Sequence, residues 1–187
     1  PSLASLPGML ERTILLDGFS KTYAMTGWRL GYAVWPKELA EPATRLAIND
    51  HSCVNAAAQW AGIAALTGPR DEVNKMVAAF DERRRVVVDE LNALPGVRCV
   101  EPGGAFYAFP NVSALGIPAK RIETGLLEDA GVATIAGTSF GAQGEGFIRI
   151  SYANSVENIR EAMKRIRGWL DAQPKAAGRS ELRQPAQ

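Results

Sequence analysis

Apolar positions near the start of the chain fall in short continuous runs. Residues 13–16 and 30–35 each read as a buried strand, the second stopped by Pro36. The period then lengthens. An Ala-rich stretch over residues 55–66 predicts a helix, closed by Thr67-Gly68-Pro69. From the candidate N-cap Asp71, the residues Val73, Met76, Phe80, Val87, Leu91 and Leu94 recur near helical spacing, so a long helix runs up to Pro95-Gly96. Its charged block Asp81, Glu82, Arg83, Arg84 and Arg85 reads as a solvated face.

Beyond Gly96 the pattern becomes short strands separated by Gly/Pro turns. Strands are predicted at residues 97–100, 106–109, 132–136 and 147–152, with a helix at 119–130 ended by Gly131 and a glycine-rich loop at 137–146. A last helix opens at the N-cap Ser155 and carries Ile159, Met163, Ile166 and Leu170 on one face. After Leu170 apolar content nearly vanishes, and the tail is expected to be disordered. Residues 1–12 have no start methionine and run straight into a strand, as if the chain were entered in mid-domain.

Composition narrows the functional classes. With 21 basic and 20 acidic residues among 187, the net charge of +1 gives no reason to expect nucleic acid or an anionic membrane as partner. The apolar stretches are too short to span a bilayer. Cys53 and Cys99 lie far apart, without CxxC spacing, and read as free thiols in a reducing cytoplasm. His51 is the only histidine and is read as structural or loop-lining, which argues against zinc chemistry and Ser-His-Asp catalysis.

The segment richest in chemistry is Asp17-Gly-Phe-Ser-Lys-Thr-Tyr-Ala-Met-Thr-Gly-Trp-Arg-Leu-Gly-Tyr32. It places Lys21 in a loop of small and polar residues directly after a strand, with Arg29 eight positions later between Gly27 and Gly31. A lysine amine so placed can form a Schiff base with an aldehyde. Arg29 can hold a phosphate by two parallel hydrogen bonds, with hydroxyls such as Ser20 in support.

This string resembles the cofactor-attachment signature of the class I/II aminotransferases, with Gly18, Lys21, Ala24, Met25, Gly27, Arg29, Leu30 and Gly31 filling its specified positions. Three further stretches are similar to the family: Gln59-Trp-Ala-Gly-Ile-Ala-Ala-Leu-Thr-Gly-Pro69, Pro102-Gly-Gly-Ala-Phe-Tyr-Ala-Phe-Pro110 and Gly144-Glu-Gly-Phe-Ile-Arg-Ile-Ser-Tyr-Ala153. The resemblance implies an α/β chain of fold type I. Residues 1–70 would be the end of the cofactor-binding large domain, 71–95 the connecting helix, 96–172 a small α+β domain and 173–187 a disordered tail. It further implies pyridoxal phosphate as cofactor, bound through Lys21, with Arg29 and Ser20 on its phosphate. Arg149 would grip the α-carboxylate of an amino acid or 2-oxo acid substrate.

In such a family the full-length protein is expected to be a cytoplasmic homodimer. The aspartate that protonates the pyridine nitrogen lies upstream of the lysine strand in the family, so the 187-residue chain is expected to be inactive by itself. Asp17 stands where the family often has asparagine, and Ala136 where a proline commonly precedes the glycine. The resemblance leaves two alternatives: a carbon–sulfur lyase or cyclopropane-carboxylate-synthase-like enzyme, and a non-catalytic effector domain of a transcription regulator, against which the retained Lys21, Arg29 and Arg149 argue. Phe106, Tyr107 and the loop at residues 137–141 are candidates for the side-chain pocket, with core packing the expected role of Phe106.

Overall fold

The computed structural model describes residues 2–174, so the tail expected at 173–187 falls, beyond Pro174, outside the described residues. The chain forms two compact units that divide between Lys75 and Met76. In the first, after two 3-10 turns, β1 (Leu15–Gly18) runs into a one-turn helix α1 (Phe19–Thr22), and β2 (Gly31–Val34) returns antiparallel to β1. Leu15 lies opposite Val34, and Gly18 opposite Gly31. β1 starts two residues later than the apolar run because Thr13 is still engaged in the preceding turn. Its hydroxyl donates to the Met9 carbonyl at 2.6 Å, and its N–H to the Leu10 carbonyl.

Two helices follow, α2 (Lys37–His51) and α3 (Ala56–Thr67). The first was not expected. Pro42 lies inside it, and its apolar residues Leu39, Leu46 and Ile48 are all exposed, so no buried stripe announces a helix in the sequence. His51 ends α2 and is exposed beside Asp50. The helix at 55–66 forms as α3, with Asn55 as N-cap accepting from the Ala58 N–H at 3.1 Å.

The boundary between units falls within the sequence of α4 (Asp71–Asn92). The second unit continues with β3 (Tyr107–Ala108), α5 (Ala119–Glu128), β4 (Ile135–Ala136), β5 (Ile148–Ser151) and α6 (Val156–Ala172). Its sheet runs β3-β5-β4, antiparallel throughout, with β5 in the centre. Ile148 and Ile150 point into a core shared with Val87 and Leu91 of α4, Ile122 and Leu126 of α5, and Met163 and Ile166 of α6. Arg149 and Ser151 therefore take the other face. Trp169 completes the buried face of α6, its indole donating to Asp129 at 3.0 Å, and Gly125 leaves the space that ring needs.

The strand expected at residues 97–100 does not form. The Asn92 side chain takes the place of a neighbouring strand, accepting from the Cys99 N–H at 2.9 Å and donating to its carbonyl at 3.0 Å. Only Arg98 bridges to Asn111. Cys99 is buried and Cys53 exposed, both unpaired, and burial pushes the Cys99 thiol up. The charged block on α4 is only partly solvated: Arg84 is drawn in, bonded to Asp81 at 2.6 Å, Glu101 at 2.5 Å and the Pro102 carbonyl at 3.1 Å.

The glycine-rich loop between β4 and β5 is pinned by one backbone crossing. A Cβ on Gly137 would stand 2.1 Å from the Gly144 carbonyl oxygen, and one on Gly144 would stand 2.0 Å from that of Gly137. Backbone cannot move aside as a side-chain tip can. Gly137→Ala is therefore expected to destabilise the second unit by about 1–3 kcal/mol, as overpacking does; an unchanged midpoint of thermal unfolding would refute the crossing.

Candidate active site

Lys21 is held by a local frame that begins at β1. Gly18 leads into α1, and the Phe19 N–H bonds back to the Leu30 carbonyl at 3.2 Å, so the two ends of the loop are tied together. Phe19, Met25 and Leu30 form a small buried cluster, with Tyr23, Tyr32, Val54, Ala61 and Ala65 packed around it. The backbone closes over this cluster through Met25 N–H to the Phe19 carbonyl and Ala24 N–H to the Lys21 carbonyl. Ser20 and Lys21 ride on α1, Ser20 half-buried and Lys21 exposed.

Closing so short a loop forces two residues other than glycine into the left-handed region. Ala24 has φ +53° and Arg29 φ +52°. Each costs of order 1 kcal/mol or more and persists only where surrounding structure over-determines it; such residues cluster at functional sites. Arg29 leaves a 3-10 turn, Thr26–Trp28, and its guanidinium donates to the Thr26 carbonyl at 3.2 Å. Beside the loop lies a pocket of about 410 Å³ lined by Ala24, Gly27, Trp28, Asn55 and Ala58.

Asp17 caps the site from behind. One carboxylate oxygen accepts from the Gly18 N–H at 2.7 Å and the other from the Tyr32 hydroxyl at 3.3 Å. Burial first, and then the Asp17 charge, push the Tyr32 phenol above its usual value. Gly62 of α3 completes the frame. A Cβ there would stand 2.6 Å from Leu30 Cδ2 and 3.2 Å from Phe19 Cζ, so the absent side chain lets α3 close on the cluster.

Arg149 belongs to the second unit, half-buried at the centre of β5. Its guanidinium carbon lies 4.4 Å from the centroid of the Tyr107 ring and 4.6 Å from that of Phe140. Among the described residues its side chain makes no hydrogen bond or ion pair. Also among the described residues, no group of three or more His, Cys, Asp or Glu could hold a metal, and no helix is long and apolar enough to cross a membrane.

The family described as aminotransferase class I and II matches residues 3–166. The chain belongs to that family. It is 45% identical to an aspartate aminotransferase of Pyrococcus horikoshii, over 87% of this chain and 42% of that protein. It is 41% identical to an aromatic-amino-acid aminotransferase of Thermococcus litoralis, over 88% of this chain and 43% of that one. Among solved structures, an aromatic aminotransferase from Pyrococcus horikoshii superposes with a TM-score of 0.86 at 41% identity, covering 91% of this chain and 46% of that one. The chain thus has the α/β fold of these aminotransferases and spans less than half the length of each.

The sequence reading named Lys21, Ser20, Arg29 and Arg149 and missed what supports them. Gly62 carried no signal beyond its place in an Ala-rich helix. Phe140 was reached only as part of the loop at residues 137–141 named for the side-chain pocket, and not as a partner of Arg149, because a ring in a loop has no periodicity to betray its partner. Gly62→Val is expected to overpack Leu30 and Phe19 and to lower stability by about 1–3 kcal/mol. Denaturant unfolding followed by tryptophan fluorescence checks this, and an unchanged midpoint would mean that α3 does not brace the loop.

Proposed function

We propose that the protein carrying this chain is a pyridoxal-phosphate-dependent aminotransferase that moves an amino group between an amino acid and a 2-oxo acid. The observation that carries the reading is the loop from Phe19 to Leu30. It presents one lysine and one arginine from a backbone held in two strained conformations, in a chain that belongs to the class I and II aminotransferases. Strain maintained at Ala24 and Arg29 is costly unless their placement matters.

The residues fit such a cofactor by their own chemistry. Lys21 Nζ is a primary amine at the end of a turn fixed to a strand, suited to bond an aldehyde carbon. Arg29 offers a planar fork of donors for the phosphate, with the Ser20 hydroxyl beside Lys21 as a further donor. The neighbouring pocket is walled largely by small side chains. When bound, the cofactor ring supplies the electron sink that makes the substrate α-hydrogen acidic. Lys21 Nζ would be the base that takes that proton from the substrate α-carbon and the acid that gives it back. Arg149 would hold the substrate carboxylate through a bidentate pair.

Relatives named for aspartate and for aromatic amino acids match about equally well, so the amino donor is left open within those chemistries. The reading includes a cytoplasmic homodimer and a division into the end of a large domain, the helix α4 and a small domain. The unusual number of large apolar side chains on the surface of the first unit, among them Leu16, Leu46 and Trp60, supports burial against further protein.

The test is chemical. A protein of the relatives' full length carrying this chain is incubated with pyridoxal phosphate, reduced with borohydride and digested. The expected adduct sits on the peptide containing Lys21 and is absent in Lys21→Ala. Its absence from the wild-type digest, or its appearance on another lysine, overturns the assignment.

A further inference from the structure

Arginine is an awkward residue for precise recognition, because its long stem must be frozen before its planar fork can meet a carboxylate. Such freezing is usually achieved by an ion pair. An ion-paired arginine must release its partner before it accepts a ligand. Arg149 is held differently. Its guanidinium carbon lies over two rings, 4.4 Å from the centroid of Tyr107 and 4.6 Å from that of Phe140, and among the described residues its side chain makes no hydrogen bond or ion pair. Stacking uses the face of the group and leaves its in-plane N–H donors for a ligand.

The arrangement follows from the fold. Tyr107 lies opposite Ser151 in the β3–β5 register, so it shares a face with Arg149 and stands diagonal to it, within reach of two long side chains. Phe140 comes from the other side, at the end of the 3-10 turn Gly137–Phe140 that leaves β4, whose Ile135 is the register partner of Arg149. The Gly137–Gly144 crossing fixes where that turn sits. Each ring is also backed by another: Phe106 lies 4.5 Å from Tyr107, and Phe109 meets Phe140 edge-on at 6.2 Å while stacking on Phe147 at 5.2 Å. Phe140 is 54% exposed, so packing of the apolar core does not account for its place.

We propose that Tyr107 and Phe140 are positioning residues that clamp the Arg149 guanidinium with its donor edge open, so that a substrate carboxylate meets a fork already in its binding geometry. The proposal rests on the reading of Arg149 as the carboxylate grip. Its energetic content is that the ordering cost of the arginine is met during folding rather than at each binding event.

The test uses a protein of the relatives' full length carrying this chain, and succinate as probe, with two readouts: the Arg149 Nε–H proton resonance and the succinate dissociation constant by titration. In the wild type the resonance is expected upfield, under the ring currents of two aromatic faces, and Tyr107→Phe is expected to match it in both readouts. Tyr107→Leu and Phe140→Leu are expected to move the resonance downfield and to weaken succinate about three- to ten-fold each. Phe140 is an exposed loop residue, so its variant keeps the fold even where that of Tyr107 does not. Wild-type affinity in both leucine variants, with binding lost in Arg149→Gln, overturns the clamp and leaves the grip standing. Wild-type affinity in Arg149→Gln, or no succinate binding by the wild type, removes the grip and the clamp with it.

Discussion

The first unit depends on one constraint: twelve residues must leave β1 and return as β2 while enclosing only three buried side chains. Phe19, Met25 and Leu30 are all the core this loop has, and the Phe19–Leu30 hydrogen bond closes it. Turning so tightly without glycine at every bend drives Ala24 and Arg29 into left-handed backbone. The same closure sets where Lys21 and Arg29 stand relative to β1 and β2. Chemistry and strain thus have a single origin, and the missing side chain at Gly62 is what allows α3 to stabilise both.

The second unit solves its own problem by other means. Its core is large and continuous, from Val87 of α4 to Trp169 of α6, and among the described residues its one non-glycine residue at positive φ, Ala105, lies in the turn before β3. Alternation along β5 does the positioning: burying Ile148 and Ile150 obliges Arg149 to the opposite face. There it is ordered by aromatic faces rather than by charge. One unit therefore holds its cations by backbone closure, the other by ring stacking.

Much of this was legible in the sequence, and the exceptions share a cause. Lys21, Arg29 and Arg149 could be named because the stretches around them resemble those of the family, and α3 and α6 because caps and apolar spacing do. The helix α2 could not, since it buries nothing and contains Pro42. Residues 97–100 looked like a strand, but their hydrogen bonds go to the Asn92 side chain, a partner that no periodicity reveals. The Gly137–Gly144 contact and the ring of Phe140 over Arg149 arise between segments whose meeting depends on the whole fold. What sequence hides here is closure: which backbone passes so near another that a Cβ is excluded.

On the proposed function, Arg29, fixed by this closure, holds the phosphate of a cofactor bonded to Lys21. The most direct measurement compares the affinities of pyridoxal phosphate and of pyridoxal, which lacks the phosphate, for a full-length protein carrying this chain and for its Arg29→Gln variant. A charged hydrogen-bonding partner lost from a phosphate costs about ten-fold or more in affinity. The wild-type preference for the phosphorylated form is therefore expected to shrink by at least that factor in the variant, with pyridoxal affinity unchanged. An undiminished preference in Arg29→Gln would contradict the account.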